Sequence, residues 1–175
     1  GTEWGDFSVM KYVSQSVPEI VTGIEVVTYN LENGKIVPTK MSRKFIYTEE
    51  VSSSLQRISF YAQDVKVGSV IEVKYNIHSD RFWEIDDVFL QKTIPVNWVE
   101  SQVSIPGFFT FNKKLHGSLH VQYDSKVEPK NLFRYQYEVA VDQFNAVDAP
   151  ALIRERYIYY LTQYFSPVSY DITIL

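Results

Sequence analysis

Hydrophobic and polar residues alternate with a period of two along much of the chain. In residues 69–79, the side chains of Ile71, Val73, Tyr75 and Ile77 fall on one face of an extended segment, and polar side chains fall on the other. The same alternation recurs in residues 57–61, 82–94, 131–141 and 168–174. Because successive side chains of a strand point to opposite faces, this pattern predicts strands with one buried and one solvated face. Such strands are typical of antiparallel sheets.

A two-residue turn is predicted at Asn33-Gly34, between two apolar segments. Tight hairpins need positive φ at both central positions, which asparagine and glycine adopt at low cost. Glu32 and Lys35 flank this turn and are expected to face each other across the two strands. The sequence therefore predicts a β-hairpin here.

The remaining connections also favour a sheet protein. Residues 64–68 form a second turn, and Pro95 and Pro106 restrict the strands beside them to an edge or an end. Residues 51–56 and 149–161 are candidate helical turns, although neither is long or regular enough for an amphipathic helix. Short strands with little helix predict an all-β fold, an antiparallel β-sandwich.

The composition agrees with a single folded domain over residues 1–175, and it excludes several functions. Hydrophobic residues make up 45% and charged residues 22%, as in globular proteins. A net charge of −4 leaves no basic excess for nucleic acid. No apolar run approaches the roughly 20 residues of a membrane span. The absence of cysteine removes disulfides, thiolate metal sites and a cysteine nucleophile.

The histidines are candidates for a metal site, and their spacing argues against one. His116 and His120 would share one face of a helix, but Gly117 lies between them and residues 118–123 alternate as a strand. In extended backbone, residues four apart are about 13 Å apart, too far to share an ion. His78 projects from the polar face of its strand. We therefore predict no metal site.

An acidic cluster at Glu84, Asp86 and Asp87 leaves alternatives open. Two carboxylates on one face could bind calcium or act as an acid–base pair. The cluster lacks the glycine and the series of oxygen ligands of a calcium loop, which favours a solvated strand face or a β-bulge at the doubled aspartate. Nucleophile-elbow and phosphate-loop patterns are missing too. We predict no catalytic residue and no cofactor in this chain.

Aromatic residues are unusually frequent, at 15% of the chain. Some belong to a β-rich core, but the cluster near the carboxy terminus is too dense for every ring to point inward. Exposed aromatic rings stack on sugars or anchor protein interfaces. The candidate interaction surface consists of Trp83, Trp98, Tyr157, Tyr159, Tyr160, Tyr164 and Phe165. The alternatives are that the terminal cluster covers one end of the sandwich or docks onto a following domain.

Four segments in a fixed order resemble a known family. They are residues 28–37 (TYNLENGKIV), 65–75 (VKVGSVIEVKY), 94–96 (IPV) and 149–151 (APA). Together they are similar to the bacterial domain of unknown function DUF3857, which precedes a transglutaminase-like domain in envelope proteins. The resemblance runs from about Thr28 to the carboxy terminus.

The resemblance implies a β-sandwich from an extracytoplasmic protein, periplasmic or at the cell surface, with a papain-like Cys-His-Asp site further downstream. No residue of that triad is expected in this chain, which we expect to be part of a longer multidomain protein. Two functions follow. The first is a non-catalytic accessory domain that supports or positions the downstream transglutaminase-like domain. The alternative is a stand-alone β-sandwich module that binds an envelope glycan, a peptide or a partner protein.

Overall fold

The chain forms antiparallel sheets throughout the part that is described. The computed structural model describes residues 3–13, 18–79, 81, 85–132, 135–151 and 167–172. The chain divides into two compact units, Gly1–Phe82 and Trp83–Leu175. Each unit contains two three-stranded antiparallel sheets. The predicted all-β fold is therefore confirmed, whereas the single domain over residues 1–175 stays a prediction.

The first unit is a small sandwich of six strands. They are β1 (Asp6–Tyr12), β2 (Ile20–Glu32), β3 (Lys35–Lys40), β4 (Ile46–Ser52), β5 (Leu55–Tyr61) and β6 (Val70–His78). The strand orders are β1-β5-β4 in one sheet and β3-β2-β6 in the other. The core between the sheets consists of Val9, Val26, Ile58 and Phe60. Ile58 and Phe60 are the inward positions that the alternation in residues 57–61 predicts, because residues two apart share a face.

The hairpin between β2 and β3 confirms the turn predicted at Asn33-Gly34. The φ angles of Asn33 and Gly34 are 50° and 75°, and Glu32 and Lys35 are cross-strand partners. The ion pair of Glu32 is nevertheless made with another residue, since its Oε1 lies 2.9 Å from Lys66 Nζ. Lys66 belongs to the second predicted turn, which connects β5 to β6.

The second unit is also a sandwich of six strands. They are β7 (Ile85–Phe89), β8 (Val96–Pro106), β9 (Phe111–Leu115), β10 (Gln122–Leu132), β11 (Tyr135–Ala149) and β12 (Pro167–Ile172). The strand orders are β10-β11-β8 and β7-β12-β9. The buried core residues are Leu90, Ile105, Phe144, Val168 and Tyr170. Among them, Val168 and Tyr170 are inward positions of the alternation predicted for residues 168–174.

Several local predictions are wrong. Of the strand predicted over residues 82–94, the structure shows β7 from Ile85 to Phe89, and residues 90–94 are not in a strand. Residues 131–141 do not form one strand, because β10 ends at Leu132 and β11 begins at Tyr135, its cross-strand partner. Residues 51–56 are not helical, since β4 and β5 are joined there by a turn at Ser53 and Ser54. At residues 53–54 and 133–134 the sequence between the strands lacks the glycine that marks the β2–β3 turn, so it gives a weak turn signal.

The doubled aspartate of β7 forms the predicted irregularity. Val88 pairs with Val168 and Ile85 pairs with Tyr170, so Asp86 and Asp87 together oppose Ser169. Two residues opposite one are the definition of a β-bulge. The bulge places Ile85 and Val88 against the same core although they are three residues apart.

Candidate binding surfaces and a buried polar cluster

Trp98 is the member of the predicted aromatic surface that falls within the described residues. It lies on β8 with 58% of its surface exposed, and its cross-strand partner Val147 is 53% exposed. This pair places an accessible indole on the sheet surface. Six predicted surface residues lie outside the described part of the chain: Trp83, Tyr157, Tyr159, Tyr160, Tyr164 and Phe165.

The histidines do not converge. His116 follows β9, and its Nε2 lies 3.1 Å from Ser169 Oγ on β12. His120 precedes β10, which begins only at Gln122, so the strand predicted from residue 118 is wrong in its first part. His78 is exposed at the end of β6. Within the described residues, no group of three histidine or carboxylate side chains could hold a metal ion.

A helix long and apolar enough to cross a bilayer is likewise not found among the described residues.

Among the described residues, the side chain with the most hydrogen bonds is that of Asp142, which is 1% exposed on β11. Its Oδ1 accepts hydrogen bonds from Lys113 Nζ at 2.8 Å, Tyr123 Oη at 2.9 Å and Ser125 Oγ at 2.7 Å. Its Oδ2 accepts one from Tyr170 Oη at 3.1 Å. Lys113 also donates to Tyr123 Oη. We call these five residues the Asp142 cluster.

The cluster joins the two sheets of the second unit. Asp142, Tyr123 and Ser125 belong to β11 and β10, whereas Lys113 and Tyr170 belong to β9 and β12 of the facing sheet. Tyr123 also stacks on the core residue Phe144, with 5.1 Å between the ring centroids. Because a buried carboxylate is costly unless it is paired and hydrogen-bonded, every one of these donors contributes to keeping it in place.

The environment fixes the charge states of the cluster. Burial alone raises the pKa of Asp142, but hydrogen bonds from Lys113, Ser125 and Tyr123 outweigh it, and the net pKa is lowered. Burial lowers the pKa of Lys113, but hydrogen bonds to Asp142 and Tyr123 leave it raised. Burial, followed by the charge of Asp142, raises the pKa of Tyr170. A carboxylate with a lowered pKa is a poor general base, and a lysine with a raised pKa is a poor nucleophile. The arrangement is therefore that of a structural ion pair.

Sequence reasoning missed this cluster, although β9 carries a signal. Phe111, Lys113 and Leu115 alternate on one face, so a lysine occupies a position between two apolar ones. A strand lysine on the core face needs a buried acceptor. The acceptor, Asp142, is identifiable only once the pairing of β10, β11 and β8 is known.

An exposed apolar surface lies on the outer side of the β3-β2-β6 sheet. Leu31 and Ile36 are cross-strand partners and are 74% and 71% exposed. In the neighbouring row, Tyr29 pairs with Pro38 on β3 and with Val70 on β6, which is 65% exposed. Directly opposed residues project from the same face of a sheet. We call these five residues the apolar outer face. Contiguous exposed apolar residues are a common mark of interaction sites.

The inner side of the same strand holds the loop between β5 and β6. Asn30 is 5% exposed, and its Nδ2 donates to the carbonyl oxygen of Asp64 at 2.8 Å and to its Oδ2 at 3.0 Å. Ser69 Oγ donates to Asn30 Oδ1 and accepts from the backbone N–H of Lys66 at 2.8 Å. Asn30 therefore connects both ends of the loop to β2, which fixes the position where β6 begins.

The four family-like segments form two neighbouring pairs. Residues 28–37 build the β2–β3 hairpin, and residues 65–75 build the loop and first half of β6, which pairs with β2. Residues 94–96 and 149–151 meet where Val96 pairs with Ala149. Segments that are distant in sequence thus lie side by side in the sheets.

Comparison of the chain with protein-family models, with curated proteins and with solved structures gave no match in any of the three. The resemblance to DUF3857 therefore stays a prediction.

Proposed function

We propose that this chain is a non-catalytic accessory module of an extracytoplasmic bacterial protein, and that it docks onto a downstream transglutaminase-like domain of the same parent chain. The observation that carries this proposal is the apolar outer face. Leu31 and Ile36 are each more than two-thirds exposed, although a sheet surface that met only water would favour polar residues there.

The position of this surface relative to the family-like segments supports the same partner. Tyr29, Leu31 and Ile36 come from residues 28–37, and Val70 comes from residues 65–75. The segments that suggest a transglutaminase-like neighbour are thus the ones that present the exposed apolar side chains. Charged residues at its margin, such as Glu72 and Lys66, would keep the free surface soluble.

Hydrogen exchange tests the proposal. Peptides covering β2 and β3 are measured in the isolated chain and in the longer polypeptide that the parent gene encodes. Docking predicts slower exchange around residues 29–38 in the longer polypeptide, because a covered face opens less often to solvent. Leu31→Asp and Ile36→Asp should abolish this protection. Val127→Asp, at a residue 63% exposed in the second unit, is the matched control and should leave it intact.

Two outcomes contradict the proposal. One is exchange that is identical in the two polypeptides. The other is a parent gene that encodes no transglutaminase-like domain after residue 175.

A second candidate function, binding of an envelope glycan, rests on Trp98. An indole that is 58% exposed on a sheet offers a flat stacking surface for a sugar ring. Isothermal titration with soluble peptidoglycan fragments should then give heat that Trp98→Ala abolishes. Absence of heat at millimolar fragment would exclude this function.

A further inference from the structure

The first unit contains an open cleft at the place where β3 leaves its sheet. The cleft has a volume of about 590 Å³ and is lined by consecutive residues of β2, from Val21 to Val27. Its other walls come from Lys40, Met41, Arg43, Ile46, Thr48 and Ile58. Seven consecutive residues can line one wall only if the edge of the strand, with its backbone groups, faces the cleft, because side chains alone would alternate.

The strand pairing explains why this edge is open. β2 runs from Ile20 to Glu32, and β6 pairs with its far edge from Ile20 to Tyr29. On the near edge, β3 pairs with β2 from Glu32 back to Val27 only. One further bond, from Met41 N–H to the Val26 carbonyl at 2.8 Å, continues the ladder. Beyond it, none of the described strands pairs with this edge of β2.

After β3, the chain does not continue along the edge of β2 but crosses to the other sheet of the unit. After Lys40 it makes a 3-10 turn at Arg43–Phe45 and enters β4. A β-bulge in β2 lies opposite this departure, with a register shift between Thr22 and Glu25 and a φ of +64° at Gly23. As a result, about half of the length of β2 has an unpaired edge that faces the cleft. Unpaired strand edges of this kind accept an added strand.

The chemistry of the walls indicates the kind of strand that fits. Val26 and Ile58 are buried apolar residues at the cleft, 2% and 8% exposed. Lys40 and Arg43 lie on the exposed side, and neither forms an ion pair with a described residue. Glu25 is the one carboxylate among the lining residues, so cations outnumber it two to one. The cleft therefore offers unpaired backbone groups for hydrogen bonding, apolar side chains at its base and positive charges at its exposed edge.

We propose that this cleft binds an extended peptide segment by strand addition to β2, and that the segment alternates apolar with acidic residues. The backbone of the peptide would continue the sheet beyond Val26 in place of β3. Its apolar side chains would lie toward Val26 and Ile58, and its carboxylates would lie toward Lys40 and Arg43. This site is separate from the apolar outer face and does not depend on a transglutaminase-like neighbour.

Three capped heptapeptides test the proposal by NMR titration of the ¹⁵N-labelled chain. The first alternates valine with aspartate. The second has the same sequence with N-methyl groups on alternate amides, which removes donors to the β2 edge and keeps the side chains. The third carries lysine in place of aspartate. The first peptide should shift the amide signals of residues 21–27 and slow their hydrogen exchange, whereas the N-methylated peptide should do neither.

Substitutions that change the charge or the volume of the cleft test whether the cleft is the binding site. In Lys40→Glu/Arg43→Glu, affinity for the aspartate peptide should fall at least about tenfold and affinity for the lysine peptide should rise, because the charge at the exposed edge of the cleft changes sign. Thr48→Trp should block binding by filling the cleft. Thr110→Trp, at an exposed threonine of the second unit, should bind like the wild type. Circular dichroism shows which variants fold, and the charge variant remains informative if Thr48→Trp does not.

The proposal is overturned if the N-methylated peptide binds as well as the first, or if the shifts map outside the cleft. It is also overturned if no peptide binds at millimolar concentration. Sedimentation of the free chain adds one more contrary outcome, a dimer that buries β2, which would make a second copy the occupant.

Discussion

Lys113 of β9 and Asp142 of β11 meet across the sandwich of the second unit, with 2.8 Å between Nζ and Oδ1. Lys114, the next residue of β9, forms a second pair with Asp171 of β12, at 2.7 Å, on the outer surface. The side chain of Asp142 is 1% exposed and that of Asp171 is 58% exposed. The two pairs therefore share their chemistry and the strand β9 but differ in burial.

Asp142→Asn should lower the free energy of unfolding by about 2 to 3 kcal/mol, because it removes the buried negative charge that accepts hydrogen bonds from the four donors of the Asp142 cluster. Asp171→Asn should cause no measurable change, because exposed pairs contribute little. Urea denaturation followed by circular dichroism measures both. Equal effects of the two substitutions would show that the buried pair has no special contribution.

Stability should fall as the pH drops below the ordinary pKa of aspartate, 3.8, because the folded protein holds the pKa of Asp142 lower. In that range the unfolded chain binds a proton that the folded chain still lacks, so protonation favours unfolding. The contribution of Asp142 to stability is fully present above pH 3.8, and it is lost as the pH falls through the pKa of Asp142 in the folded protein. The difference in stability between wild type and Asp142→Asn, measured from pH 6 to pH 2.5, should shrink at the acid end. A difference that is independent of pH would contradict the lowered pKa.

Asn30→Ala should free the loop between β5 and β6, since Asn30 bonds to Asp64 and Ser69 at its two ends. We expect a loss of about 2 kcal/mol from the bonding groups left unsatisfied. Hydrogen exchange at the Lys66 amide, which donates to Ser69 Oγ, should accelerate more than exchange in β5. Asn112→Ala, at an exposed strand position, is the matched control. Unchanged exchange at Lys66 would mean that the loop holds its conformation without Asn30.

Gly34→Ala and Gly23→Ala should each cost about 1 kcal/mol, because both glycines have positive φ. A Cβ at residue 34 would meet nothing within 4 Å, whereas one at residue 23 would lie 2.9 Å from Asn76 Nδ2. Asn76 is exposed and can rotate away, so backbone strain should dominate at both positions. Thermal unfolding of Gly23→Ala with and without Asn76→Ala separates the two effects. If removing the Asn76 side chain restores more than half of the lost stability, the collision costs more than the backbone strain.

The alternation of the sequence predicts the buried positions of β5 and β12, but in β6 two residues of the predicted buried face, Tyr75 and Ile77, are 43% and 42% exposed. Ile58 and Phe60 of β5 are buried as expected, and so are Val168 and Tyr170 of β12. The pattern also fails where it continues past the end of a strand. Phe133 and the residues on either side keep the same alternation, so nothing in the pattern separates Leu132 from Tyr135.

The candidate sites are less accessible to sequence reasoning than the strands. The cleft exists because β3 covers only half of β2, and the register that decides this depends on where β3 turns away after Lys40. The Asp142 cluster needs residues from four strands that are up to 57 positions apart, between Lys113 and Tyr170. The residue type of Trp98 alone suggests a surface position, and its side chain is 58% exposed, but its membership of an interaction surface stays a prediction.

The buried carboxylate of Asp142 pairs with Lys113 and not with the adjacent Lys114. If β9 were displaced by one residue against β12, Phe111 would turn toward water, and Lys113 would lose Asp142 as an acceptor. Lys114 or Asn112 would then point inward in its place, without the geometry that four donors now satisfy. A misaligned β9 would thus lose both its apolar contacts and its charge neutralisation, so an edge strand of only five residues has one favourable alignment.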